Sequence, residues 1–359
     1  MSAPASARGG FERFADDLTT HLPANQVEVV NVSTFGFLSK FAYRLTQVGS
    51  RRNANDAHND SNQLTISIKT IRKIRDEIDV LYVKNDVLDL TLAKIYFRRI
   101  PTIIGVHTVI ERRSEPQNFQ SRLRGYLYSD LIYKPLVRGQ NRWVHCVADN
   151  GDASRMRNYL PGRVFVLPNY VTKTGFRKMR QKIGLRDGTI CFLFVGRLEY
   201  QKGIDLFLDA VNLARSEGKN WRFVVAGIGN DQFEKRVLST SSIDYRGYCE
   251  DISELMDQAD WMVIPSRWEQ SPLIVREAVA NGLPYIVSSS KCFEQFFLHD
   301  CLVCDLNAKS LFEAMAFASM ISDDTLDVVR QDLETIFNAE PGIEEVMGSI
   351  AKIVKLAST

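Results

Sequence analysis

The chain has 359 residues, 45% of them apolar and 25% charged, with a formal net charge of +2. That length suits two α/β domains of about 150–180 residues each; the net charge argues neither for nor against nucleic acid, which has no supporting motif and is left out of the expected partners. No apolar run approaches the roughly 20 residues of a membrane-spanning helix, and residues 1–10 lack the apolar stretch of a signal peptide, so a cytoplasmic protein is expected.

Short apolar strands alternate with amphipathic helices from end to end. That is the rhythm of parallel sheets covered by helices on both faces. In the first half a helix is expected over 11–22, where Phe11, Phe14, Ala15, Leu18 and Leu22 recur at helical spacing. Strands are expected at 27–32, 80–83, 102–106, 144–147 and 164–167, with a further helix over 64–78. Pro168 and Asn169 precede the polar, basic stretch 173–182, the expected domain boundary. Strands then resume at 190–195, 223–226, 243–245, 261–264, 285–287 and 302–305. A last helix, over 342–356, is expected to pack back on the first domain. The expected units are 1–168, 169–340 and the terminal segment 341–359.

One element is missing from this pattern. A doubly wound domain opens with a buried strand, yet the eight residues before Gly9-Gly10 contain no apolar run. Neighbouring strands would be left with unpaired backbone groups. Either the chain is shortened at its start or another segment fills the slot.

Cys146, Cys191, Cys249, Cys292, Cys301 and Cys304 suit a reduced chain, four of them lying in or beside apolar runs. Cys301 and Cys304 form a C-x-x-C, but Leu302 and Val303 between them read as strand and no second pair accompanies it. A structural reading is preferred to a metal or redox one.

Chemistry is concentrated at two strand ends. The apolar strand 190–195 runs into Gly196-Arg197-Leu198-Glu199-Tyr200-Gln201-Lys202-Gly203. A strand's carboxyl end facing a helix start is where α/β folds bind anions. Arg197 can hold a phosphate through its planar fork and Lys202 as a mobile point charge. Two solvated cations near a turn are the alternative. The strand 261–264 likewise runs into Ser266-Arg267-Trp268-Glu269-Gln270-Ser271-Pro272, and then Leu273-Ile274-Val275-Arg276-Glu277. Pro272 suits the first position of a helix, with Gly282 and Pro284 as its stop. Glu269 falls in the loop. Glu277 falls inside the helix, a carboxylate among Ile274, Val275, Ala278 and Val279, which implies a ligand contact or a structural ion pair.

The spacing Glu269-x7-Glu277, after Gly196-Arg197 and Lys202-Gly203, resembles the signature of retaining GT-B glycosyltransferases of family 4. Ala278, Gly282, Pro284 and the strands at 285–287 and 302–306 follow the family's continuation, and Gly9-Gly10-Phe11-Glu12-Arg13 is similar to its N-terminal glycine turn. The resemblance implies two Rossmann-like domains facing across a cleft. It also implies a nucleoside diphosphate sugar donor, of UDP or GDP type, and no resident cofactor or metal. Arg197 and Lys202 would hold the diphosphate, Glu277 the ribose and Glu269 the donor sugar. Backbone at Ser271, Leu273 and Ile274 would donate to sugar or phosphate oxygens. Gly10 and Gly196 would let backbone approach the phosphates, and the base would lie near Tyr248 and Cys249. His107, at the end of the strand 102–106, matches a family histidine near the donor sugar; His21, His58, His145 and His299 have no comparable context.

Where the family often has Gly-Phe-Gly, this chain has Gln270-Ser271-Pro272, and Pro272 removes a backbone donor. Donor identity is therefore left open. Two stretches mix cations with aromatics: Phe35, Phe37, Phe41 and Tyr43 with Lys40, Arg44, Arg51 and Arg52; and 112–142, with Tyr126, Tyr128 and Tyr133. Such surfaces suit an anionic membrane, compatible with a glycan or lipid-linked acceptor; solvated helix faces are the alternative. Two rival functions remain: another GT-B enzyme such as a sugar-nucleotide epimerase, and an inactive nucleotide-sugar-binding protein.

Overall fold

The computed structural model describes residues 14, 17–18, 20–22, 28–33, 41–46, 78–84, 87–107, 133–148, 151–170, 176 and 189–358. The chain divides into two compact units, one holding Arg8–Asn169 with Ile343–Thr359, the other Tyr170–Gly342.

In the first unit β1 (Glu28–Ser33) and β2 (Phe41–Thr46) form an antiparallel pair, Glu28 opposite Thr46 and Ser33 opposite Phe41. A parallel sheet follows, β3 (Leu81–Lys84), β4 (Thr102–Val106), β5 (Arg142–Cys146) and β6 (Val164–Val166), in that spatial order. Helix α1 (Val87–Tyr96) connects β3 to β4, and α2 (Gly151–Tyr159) connects β5 to β6. β4 is buried at all five positions, as expected of a strand covered on both faces. Residues 41–46 were not expected as a strand. Phe41, Tyr43 and Leu45 alternate with Ala42, Arg44 and Thr46, and this period of two, rich in strand formers, outweighs the local charge. β2 lies near β3, which pairs with β4, but the hairpin and the parallel sheet are separate sheets. No parallel strand precedes β3 among the described residues.

Of the expected helix 11–22, the described positions 14, 17–18 and 20–21 are helical, and Phe14, Leu18 and Leu22 are buried. The expected helix 64–78 lies outside the described residues except for Ile78, as does the stretch 173–182 except for Phe176. The last helix, Ile343–Ser358, buries Ile343, Val346, Met347, Ile350, Ile353 and Val354 and touches β4.

In the second unit six strands form one parallel sheet: β7 (Cys191–Val195), β8 (Arg222–Ala226), β9 (Ile243–Gly247), β10 (Trp261–Ile264), β11 (Tyr285–Ser288) and β12 (Val303–Cys304). The spatial order is β12-β11-β10-β7-β8-β9. The chain therefore builds outward from β7 to β9, then crosses back and builds the other way from β10. β7 and β10 pair directly, Trp261 opposite Phe192 and Met262 opposite Leu193, so the direction reverses between them. The crevice outside the carboxyl ends of such a pair is where doubly wound sheets bind ligands.

The core explains why these segments are strands. Phe192, Phe194, Phe223 and Trp261 are all under 2% exposed, and burying each such side chain contributes about 1.5–3 kcal/mol. Helix α3 (Ile204–Ser216) buries Ile204, Phe207, Leu208, Val211 and Ala214 at helical spacing. Helix α4 (Asp231–Ser239) is capped by Asn230, whose side chain accepts from the Gln232 amide at 2.8 Å. Cys301 and Cys304 are both free thiols. Cys304 lies in β12, where burial pushes its pKa up to about 12, in keeping with a structural role.

Candidate active site

The turn after β7 is pinned before it reaches its first cation. The Gly196 amide donates to Ala226 O at 3.0 Å and the Leu198 amide to Ile228 O at 3.1 Å, so Arg197 stands between two anchored residues. Its side chain is over half exposed, with Nη1 3.0 Å from the Glu199 carboxylate and Nη2 3.4 Å from Gln201 Oε1. A 3-10 turn, Tyr200–Lys202, then delivers the chain to Gly203 and α3. Gly203 has φ +71, and a Cβ there would sit 2.2 Å from Pro265 O. Only glycine lets this helix start come so close to the end of β10.

That approach brings the two strand ends together. Lys202 Nζ lies 2.5 Å from Glu269 Oε1, and the two side chains are only 19% and 10% exposed. Gln201 Nε2 donates to Trp268 O at 3.0 Å, and the Arg267 amide donates to Gln201 O at 2.8 Å. Arg267 adds a bidentate pair with Asp205, at 2.8 and 2.6 Å. It also donates to Tyr200 O at 2.6 Å and lies 3.6 Å from the centre of the Tyr200 ring. On the other side, Ser288 Oγ donates to Ser266 O at 2.6 Å and Ser290 Oγ to Arg267 O at 2.8 Å. The loop carrying Glu269 is thus held by the loops after β7 and β11.

Helix α5 (Leu273–Ala280) starts here, with Pro272 as its N-cap rather than its first helical residue, and with no side-chain cap. The amides of its first turn have no partner within the helix. Ser271, Leu273 and Ile274 are half-buried around this start, and Glu277, one turn on from Leu273 and Ile274, is half-buried too. Beside it Arg276 is 2% exposed. It pairs with Glu340 at 2.5 Å and donates to Pro272 O at 3.2 Å, which ties the helix start to the end of the helix Asp323–Ala339.

Tyr248 and Cys249 follow β9, two strands from β7 on the same carboxyl edge of the sheet. Gly227 joins the three turns: its amide donates to Gly247 O at 2.6 Å, and a Cβ on it would sit 1.9 Å from Gly196 O. The structure therefore brings Arg197, Lys202 and Glu269 into one network, sets α5 with Glu277 directly after it, and leaves Tyr248 and Cys249 farther along the edge. Gly10 lies outside the described residues, as do most of the two basic-aromatic stretches.

Two residues of this network were not singled out from the sequence. Arg267 has its partner 62 residues away. Cys292 lies in the 3-10 turn Lys291–Phe296 after β11, its thiol against the Glu269 backbone in the field of Glu269 and Lys202, and burial pushes its pKa up to about 11. No local pattern signals either; a strand-end loop rich in polar residues was the only cue.

In the first unit His107 directly follows β4. Its Nε2 is 3.0 Å from Tyr82 Oη, on β3. Tyr82 Oη is also 2.7 Å from Nδ1 of His145, on β5, whose Nε2 is 3.1 Å from Leu167 O. The Phe14 ring lies 4.5 Å from the His107 ring and 5.5 Å from that of His145. His145, read from the sequence as having no particular context, is fully buried, and desolvation lowers its pKa to about 4.

Residues 189–319 match the family described as glycosyl transferases group 1. The group 1 segment contains Gly196, Arg197, Lys202, Glu269 and Glu277, but not His107. An uncharacterized glycosyltransferase from Methanocaldococcus jannaschii is 33% identical over 128 residues, 34% of this chain and 33% of that protein. The UDP-Gal:alpha-D-GlcNAc-diphosphoundecaprenol alpha-1,3-galactosyltransferase of Escherichia coli is 29% identical over 144 residues, 36% and 37% of the two chains. The chain spans about a third of the length of these curated relatives. Among solved structures, Anabaena HepE in complex with UDP and glucose aligns with a TM-score of 0.62 at 15% identity, over 81% of this chain and 82% of that one. WaaG, a glycosyltransferase involved in lipopolysaccharide biosynthesis, aligns with a TM-score of 0.56 at 17% identity, over 71% and 75%. The fold around the group 1 segment is therefore GT-B, with two Rossmann-like units.

Proposed function

We propose that the chain transfers a sugar from a nucleoside diphosphate sugar to a glycan or lipid-linked acceptor, with retention of configuration, as in family 4. The observation that carries this reading is the meeting of Lys202 and Glu269, 2.5 Å apart, where the sheet order reverses. Arg197 stands on the same loop and the start of α5 just beyond. A diphosphate requires cations, and a donor sugar requires a hydrogen-bond acceptor; this network offers both. Arg197 and Lys202 would hold the diphosphate, helped by the partial positive charge of the α5 start. Glu269 would accept from sugar hydroxyls and Glu277 from the ribose. Backbone at Ser271, Leu273 and Ile274 would donate to sugar or phosphate oxygens. Gly196 and Gly10 would allow close approach to the phosphates, and Tyr248 and Cys249 would flank the base.

In the reaction the bond from the anomeric carbon to the diphosphate oxygen breaks, and Arg197 and Lys202 offset the charge that grows on that oxygen. The acceptor hydroxyl forms the new bond on the same face and passes its proton to the departing phosphate. No side chain then needs to serve as general base, and protein cations take the part a divalent metal plays elsewhere. His107 would contact the donor sugar. The basic-aromatic stretches would rest on an anionic membrane at its cytoplasmic face.

HepE was solved with UDP and with UDP-glucose, and the E. coli relative is named for UDP-Gal, so UDP sugars are the first donors to test. Calorimetry with UDP and GDP in EDTA should show binding of at least one. Turnover with UDP sugars over a panel of glycan and polyprenyl-linked acceptors should yield products with the donor's anomeric configuration. Absence of any nucleoside diphosphate binding would sink the proposal, and inverted product would sink the retention.

A further inference from the structure

We propose that Tyr82 and His145 are positioning residues that hold a hydrogen on Nε2 of His107, and so fix the tautomer of its neutral form. This rests on the reading of His107 as a donor-sugar contact. The tautomer itself follows from a count of protons along three hydrogen bonds.

Leu167 O is a carbonyl and can only accept, so His145 Nε2, 3.1 Å away, must carry a hydrogen. His145 is buried and neutral at pH 7, with its pKa lowered to about 4, so it has no second proton and its Nδ1 is bare. Tyr82 Oη, 2.7 Å from that Nδ1, must therefore donate to it. A phenol has one proton, and this bond uses it. His107 Nε2, 3.0 Å from Tyr82 Oη, can meet only a lone pair there, so it must be the donor. The polarity runs one way, from His107 through Tyr82 to His145 and on to the Leu167 carbonyl. It is the same whether His107 is neutral or protonated, because Nε2 carries a hydrogen in both forms.

The scaffold enforces this arrangement. Tyr82 and His145 come from β3 and β5, the two neighbours of β4. Tyr82 reaches between them because position 105 is glycine; a Cβ on Gly105 would sit 2.5 Å from Tyr82 Oη. Phe14 packs over Tyr82 and both imidazoles.

The test is a long-range proton-nitrogen spectrum of the full chain with nitrogen-15 histidine, assigned by single substitutions. His107 and His145 should both show a protonated Nε2, and His145 a bare Nδ1. Tyr82→Phe removes the relay, so His107 should move to a mixture of tautomers. Turnover should fall about tenfold, the worth of one such hydrogen bond, with donor KM little changed. His145→Asn keeps an acceptor near the position of Nδ1 and should retain both the His107 tautomer and most of the turnover. A bare Nε2 on His107 in the parent, or a Tyr82→Phe variant unchanged in spectrum and turnover, would overturn the proposal. If the tautomer is as inferred but His107→Ala keeps full turnover, the relay stands and the substrate contact of His107 is overturned.

Discussion

Replacing Arg267 by alanine should loosen the loop that presents Lys202. The guanidinium makes two hydrogen bonds to Asp205, at 2.8 and 2.6 Å, and one to Tyr200 O at 2.6 Å. The Arg267 and Asp205 side chains are 11% and 19% exposed, so the variant would leave a carboxylate mostly out of water with no cation beside it. Breaking a buried pair from one side costs about 3–5 kcal/mol. In a unit the size of Tyr170–Gly342 each kcal/mol moves the melting point by about 2–4 °C, so a fall of about 6–20 °C is expected. Two ties between the loops survive, Gln201 Nε2 to Trp268 O and the residue 267 amide to Gln201 O. Nucleotide affinity should therefore weaken by about three- to tenfold rather than vanish, a loss of roughly one hydrogen bond. Scanning calorimetry on Arg267→Ala, Asp205→Asn and the double variant would isolate the pair, with an expected coupling of about 1.5–3 kcal/mol. A coupling below about 0.5 kcal/mol would show that the pair does not hold the loop.

Other expectations follow from the same geometry. Arg197→Ala should cost about tenfold or more in nucleoside diphosphate affinity, since it deletes a charge-assisted contact; calorimetry showing no change would remove Arg197 from the site. Glu277→Gln should weaken binding of the bare nucleotide, while Glu269→Gln should spare it and slow turnover; equal, parental affinities in both would dismiss the ribose role of Glu277. His145 gives a pH effect of defined sign. Its folded pKa, about 4, lies below the ordinary value of about 6.5, so between these the unfolded chain binds a proton that the folded chain excludes. Its contribution is complete above about pH 6.5 and is lost as pH falls through 4, with about 2 kcal/mol gone at pH 5. Urea unfolding at pH 7 and pH 5 should show the parent losing about that much more than His145→Asn; parallel losses would contradict the assignment.

Much of the fold was legible locally. The strands at Thr102–Val106 and Trp261–Ile264 have the bounds expected, because a strand covered on both faces is a continuous apolar run. Phe41–Thr46 was missed because Arg44 and the neighbouring Lys40, Arg51 and Arg52 made the stretch read as a charged surface. Glu269 and Lys202 were legible as loop residues at strand ends, but their contact was not. Arg267, Arg276 and His145 were given no role of their own, and each is defined by a partner more than 60 residues away: Asp205, Glu340 and Tyr82.

The amino-acid sequence by itself determines most of the strand and helix segments, roughly where those strands end, and which charged residues stand at those ends. Periodicity, glycine and proline act over one or two turns of chain and need no knowledge of what packs alongside. Only the tertiary structure decides which strands are neighbours, since parallel buried strands are much alike in composition. The order β12-β11-β10-β7-β8-β9 sets Lys202 against Glu269 across the β7 and β10 ends, and the order β3-β4-β5 gathers Tyr82, His107 and His145. Hydrogen bonds between such distant residues are a property of sheet order, which short-range pattern leaves unspecified.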